Sequence, residues 1–179
     1  MNPIKIFAAT LFSNAKPLDK INPESLYDIK INSLSNQNID FKSFEGKYIL
    51  FVNVASKCGF TSQYNELQQL HEAYKTNLVV IGVPCNQFGS QEPGSAKDIE
   101  AFCEVNYGIS FLITEKIDVK GKNQHPLYRW LTQKAKNGIK NSSIKWNFQK
   151  YLVDESGVLI DYYFSLTKPM SRKITKHLQ

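Results

Sequence analysis

The residues best suited to covalent chemistry in this 179-residue chain are three cysteines, at positions 58, 85 and 103. An odd, small number of cysteines in a chain long enough to build its own core makes no disulfide scaffold, so redox or nucleophilic use is the expectation. Cys58 stands where a buried-strand pattern ends and a helical pattern begins. A free thiol titrates at about 8.5, and the amides at a helix start, with a cation such as Lys57 alongside, favour the thiolate, which is the reacting form. A cysteine so placed serves as a nucleophile at neutral pH; the competing reading is an inert core cysteine in a loop. No second cysteine completes a C-x-x-C or C-x-x-x-C spacing, which argues against a disulfide exchanger and a copper carrier. Cys85, at the end of an apolar strand, reads as a packed small residue with no redox task, and Cys103 lies on an apolar helical stripe with Ile99 and Phe102. His125 reads as a structural residue near a helix start, because no spacing of Cys, His and carboxylates resembles a metal site.

The elements that position these residues follow from periodicity. Residues 48–54 are a nearly continuous apolar, β-branched run, the pattern of a strand covered on both faces. Tyr64, Leu67, Leu70 and Tyr74 recur at helical spacing over 62–75, and residues 78–83 return as a second buried strand, so a βαβ unit with a parallel sheet is expected. A loop rich in Pro, Gly and Asn spans 84–94, and Ser95 followed by Asp98 has capping-box spacing for the helix bearing Cys103. A short strand at 110–113 and a helix over 124–134 follow. Residues 148–153 and 158–163 flank Asp154, Glu155, Ser156 and Gly157 as a hairpin, and 169–178 is a last helix. Ahead of all this, Tyr27, Ile29 and Ile31 alternate with polar residues, and Ile39 and Phe41 follow a polar turn at 33–38, which predicts an N-terminal β-hairpin. The layout is α/β, with a central mixed sheet flanked by helices, as in thioredoxin-like folds.

With 42% apolar residues, the chain fills one core, taken to run over 25–179. Residues 1–24, punctuated by Pro3, Pro17 and Pro23, read as a tail or leader; Lys5 and the apolar 6–12 stretch resemble a minimal export signal, and without export the chain is cytoplasmic. The formal charge of +6 comes from 22 Lys and Arg against 16 Asp and Glu. It reads as a solvated surface and not a nucleic-acid site, since no basic run interleaves with aromatics. No stretch approaches the ~20 apolar residues of a membrane span.

The segments 53–59 (NVASKCG), 84–94 (PCNQFGSQEPG) and 145–148 (KWNF), in that order and with His125, Pro126 and Leu127 between the last two, resemble the signature blocks of glutathione peroxidases. The likeness runs from about Ser25 to the C-terminus. It implies a thioredoxin-like fold and a peroxidase with a catalytic tetrad of Cys58, Gln91, Trp146 and Asn147, with Cys58 as the peroxide-attacking residue. Two amides and an indole N–H donate hydrogen bonds to a sulfur anion or to peroxide oxygens, which fits that role; singly, each has an ordinary packing or turn reading. The resemblance further implies that Cys103 resolves the Cys58 sulfenic acid, as in thioredoxin-using two-cysteine members. It implies no bound cofactor and no metal, with electrons from thioredoxin or glutathione. The short connection between Trp130 and Trp146 is similar to that of monomeric members acting on phospholipid hydroperoxides, so a monomer open to lipid peroxides is expected. Two other readings stand beside the enzyme: a thiol sensor or relay passing its disulfide to a partner, and a non-enzymatic binding module with an unreactive Cys58.

Overall fold

The computed structural model describes residues 23–179, so the expected tail lies almost wholly outside the described residues. Strand β1, Tyr48–Val54, keeps its expected bounds, and every residue after Tyr48 is buried. Helix α1 is Gln63–Tyr74, strand β2 Leu78–Pro84 and helix α2 Ala96–Tyr107. The short strand β3, Leu112–Ile113, and helices α3, Pro126–Thr132, and α4, Lys134–Asn137, come next. Strands β4, Lys150–Val153, and β5, Leu159–Tyr163, form the closing hairpin before α5, Arg172–Thr175.

The sheet order is β3-β2-β1-β4-β5. β1 and β2 are parallel, with Tyr48 opposite Leu78 and Val54 opposite Pro84, while β4 runs antiparallel to β1. Alternation along β1 divides the interior into two cores. Leu50, Val52 and Val54 pack with Tyr64, Leu67, Leu70, Ile99, Cys103 and Ile174. Ile49 and Phe51 face the other way, onto Leu127, Tyr128 and Leu131 of α3. Burial on both faces is the reason these strands read as unbroken apolar runs.

The N-terminal hairpin is a correction. Tyr27 lies in a 3-10 helix, Leu26–Asp28, and Phe41 opens a second, Phe41–Phe44. The hairpin shrinks to one antiparallel bridge, Asn32 to Asn38, with Ile39 N–H on Ile31 C=O (2.9 Å). The cause is local: Ser25 and Asp40 side chains accept from Tyr27 N–H and Lys42 N–H, a short-range alternative to ladder bonds. The helix expected over 124–134 breaks at Gln133, whose backbone is extended, and Lys134 N–H turns to Asn141 Oδ1 (2.8 Å). The last helix is reduced to a single turn behind Ser171.

Candidate active site

Because β1 and β2 are parallel and end side by side, the loops that follow them leave the sheet at one edge. The loop after β1 folds back on itself. Thr61 Oγ1 accepts from Cys58 N–H (3.0 Å) and donates to Ala55 C=O (2.8 Å), and Thr61 N–H reaches Cys58 C=O (3.0 Å). This turn aims Phe60 N–H at Cys58 Sγ (3.4 Å) and leaves the cysteine 9% exposed. The amide that serves the sulfur thus comes from the turn, since α1 starts only at Gln63. Lys57 is exposed, so its charge acts from the solvent side.

The loop after β2 passes through two consecutive left-handed residues, Gly89 (φ 66°) and Ser90 (φ 52°), before Gln91. Gln91 C=O then accepts from Lys57 N–H (3.0 Å), and Gln91 Oε1 accepts from Asn147 Nδ2 (3.0 Å). Asn147 arrives from the stretch before β4, which Asn53 of β1 fastens down. Asn53 Nδ2 donates to Trp146 C=O (3.0 Å), its Oδ1 accepts from Gln149 N–H (3.1 Å), and its own C=O accepts from Phe148 N–H (2.6 Å). Phe148, buried against Tyr64 with ring centroids 5.5 Å apart, holds φ at 61°. A bulky residue in that region is a strained one, kept there by its surroundings. Ser165 Oγ holds Asn147 C=O (2.6 Å), and the fully buried Asn147 keeps an unpartnered Oδ1.

Trp146 is tied to the same place by its backbone, but the residue is 39% exposed, its ring packed over Phe88 at 5.8 Å and 53°. Gln91 and Asn147 therefore touch one another, Gln91 is bonded to the residue before Cys58, and Trp146 stands at the surface beside them. Next to Gln91, Glu92 is buried and takes Ser56 Oγ on Oε1 (2.7 Å); burial pushes its carboxyl up, against the pull of Ser56 and Lys116.

Cys103 is apart from this cluster. It is buried on α2, within the same apolar core as Cys58, and all three cysteines are free. Burial pushes its thiol up to about 11, with Tyr64 pulling the other way. Cys85 is fully buried, accepts Gln87 N–H (3.4 Å), and burial raises it too. His125 caps α3, its Nδ1 accepting from Leu127 N–H (3.2 Å). The sequence reading missed Asn53, Thr61 and Ser165 as parts of this arrangement. Asn53 carried a signal, a polar residue inside an apolar run, whereas Ser165 comes near only through tertiary folding.

The family model described as glutathione peroxidase matches residues 26–132. A glutathione peroxidase homologue of Bacillus subtilis is 45% identical over 146 residues, 81% of this chain and 91% of that protein. A glutathione peroxidase-like peroxiredoxin of Saccharomyces cerevisiae is 46% identical over 148 residues, 82% of this chain and 91% of its own. The crystal structure of T. cruzi GPX1 superposes with a TM-score of 0.68 at 29% identity, covering 87% of this chain and 94% of that one. A thioredoxin-family thiol:disulfide interchange protein of Chlorobium tepidum, 14% identical, gives 0.63 over 87% and 96% and carries the fold alone.

Proposed function

The chain belongs to the glutathione peroxidase family, and from that premise we propose that it reduces hydrogen peroxide and organic hydroperoxides through Cys58. The observation that supports this reading is that two distant stretches, those of Gln91 and Asn147, are fastened to the turn that carries Cys58. Phe60 N–H points at Sγ, and the bonded pair Gln91 and Asn147 is anchored to Lys57.

In the first step the Cys58 thiolate attacks a peroxide oxygen: an S–O bond forms, the O–O bond breaks, and the alkoxide or hydroxide leaves and takes up a proton. Gln91, Trp146 and Asn147 supply neutral N–H donors where charge develops, a role in which one donor is worth roughly 3–4 kcal/mol. The resulting sulfenic acid condenses with Cys103, releasing water and forming a disulfide. Bridged Cα atoms lie about 4.4–6.8 Å apart and the thiolate is the attacking form, so on this reading the buried Cys103 reacts once α2 loosens. A disulfide of this kind is what a thioredoxin-like dithiol reduces, with two electrons and two protons, which favours that reductant over glutathione. The exposed Trp146 beside the site suits bulky lipid hydroperoxides, and the short connection between Trp130 and Trp146 suits a monomer.

Peroxide consumption coupled to NADPH through thioredoxin and its reductase, against the same assay with glutathione and its reductase, tests the reading. Sustained turnover with thioredoxin is expected. One equivalent consumed and no more with either donor would point instead to a sensor, and no consumption would remove the peroxidase.

A further inference from the structure

Lys150 is fully buried in β4, with no carboxylate among the described residues within ion-pair reach. Lysine is almost never buried without a partner of opposite charge, so its acceptors must compensate for the lost water. They are Gln63 Oε1, Thr167 C=O (2.7 Å) and, more weakly, Ser165 C=O (3.4 Å). Burial draws the ammonium down to about 7 and Glu66 of α1 pulls it back. Glu66 itself is engaged elsewhere, with Lys168 at 3.9 Å and Met170 N–H at 3.4 Å, and the residue paired with Lys150 on β5 is Tyr163.

Two chains of hydrogen bonds leave this ammonium. Gln63 Nε2 donates to Ser165 C=O (2.7 Å), Ser165 Oγ holds Asn147 C=O (2.6 Å), and Asn147 holds Gln91 (3.0 Å). On the other side Gln63 N–H is on Phe60 C=O (2.9 Å), and Phe60 N–H is on Cys58 Sγ (3.4 Å). One side chain therefore sits where the cysteine turn and the asparagine stretch are joined from behind.

We infer that Lys150 is a positioning residue for peroxide attack, a buried hydrogen-bonding clamp that fixes the Cys58 turn and Asn147 relative to one another through Gln63 and Ser165. The inference rests on the peroxidase reading above. It assigns the clamp to the peroxide half of the cycle alone, since neither chain of bonds reaches α2 or Cys103. A shift of about 1 Å in a reacting group can cost about 10²-fold, so loosening the clamp lowers the peroxide step by at least about tenfold.

The test uses Lys150→Met, which keeps most of the side chain's length without its hydrogen-bonding nitrogen, and Ser165→Ala, which cuts the link to Asn147 and leaves the Lys150 Nζ caged. Ping-pong kinetics separates the peroxide arm from the thioredoxin arm, and the rate of Cys58 alkylation by iodoacetamide reports the sulfur by itself. In both variants the peroxide arm is expected to fall at least about tenfold while the thioredoxin arm and alkylation stay within about twofold. Equal losses in both arms would mark a merely structural lysine and overturn the inference, as would an unchanged peroxide arm. If Lys150→Met does not fold, Ser165→Ala decides between the same two outcomes. A wild-type protein that does not react with peroxide would instead remove the peroxidase reading on which the clamp rests.

Discussion

Removing the Ser95 hydroxyl should speed disulfide formation while leaving peroxide attack untouched. Helix α2 is held lightly, for only Ile99 and Cys103 of its twelve residues are buried. Its start depends on a complete capping box, in which Asp98 N–H donates to Ser95 Oγ (3.3 Å) and Ser95 N–H and Oγ both donate to Asp98 Oδ2 (2.8 Å each). Loss of a serine N-cap costs about 1 kcal/mol. If Cys103 attacks only from an opened helix, the open population, and with it the rate of Cys58 to Cys103 bonding, rises about fivefold in Ser95→Ala. The far end gives an independent check. Gly108 closes α2 at φ 58° with its N–H on the carbonyls of Cys103 and Glu104, and a Cβ there meets nothing within 4 Å. Gly108→Ala therefore costs conformational strain alone, again about 1 kcal/mol, and the same acceleration is expected. Single-turnover mixing with one equivalent of peroxide, quenched with an alkylating agent and resolved by peptide mapping, measures both steps. Unchanged or slower bonding in both variants, with amide exchange in α2 accelerated, would refute a helix-opening step.

Other consequences are direct. Asn53→Ala orphans Trp146 C=O and Gln149 N–H, at about 1–3 kcal/mol each, so urea unfolding should show a loss of about 2–6 kcal/mol. Asn147→Ala removes one neutral donor and should lower the peroxide step about 10²–10³-fold with little change in stability-corrected thioredoxin kinetics. Cys103 is raised from 9.0 to about 11, so the folded state holds that proton more tightly than the unfolded chain does. Its contribution is complete below pH ~9 and is lost as pH rises through ~11, up to about 3 kcal/mol. Denaturation of wild type and Cys103→Ser between pH 8 and 11 should show wild type declining more steeply; parallel curves would contradict the burial of that thiol.

How much of this was legible in the sequence varies with the range of the forces involved. β1, α1, β2 and the capping box of α2 were read almost to the residue, because burial on two faces, a 3.6 period and a local side-chain bond each leave a pattern in nearby residues. The hairpin at the N-terminus was misread because the Tyr27 to Ile31 alternation competes with the Ser25 and Asp40 caps, which won. At the site, Cys58, Gln91 and Asn147 were named from the resemblance, and folding brings their segments together. The exposure of Trp146 and the supporting roles of Thr61, Ser165 and Lys150 depend on loops and strands that meet only in three dimensions, and no local period encodes those meetings.

The most direct measurement is made on Cys103→Ser, in which any oxidised Cys58 has no internal partner. One equivalent of hydroperoxide is added with a sulfenic-acid trap such as dimedone, and each cysteine peptide is quantified. Near-complete trapping at Cys58 with Cys85 unmodified is the expected result, since one sulfur has an aimed N–H donor and partial access while the other is fully buried. A Cys58 that stays a free thiol while the protein remains folded would contradict the assignment of this sulfur as the peroxide-attacking group.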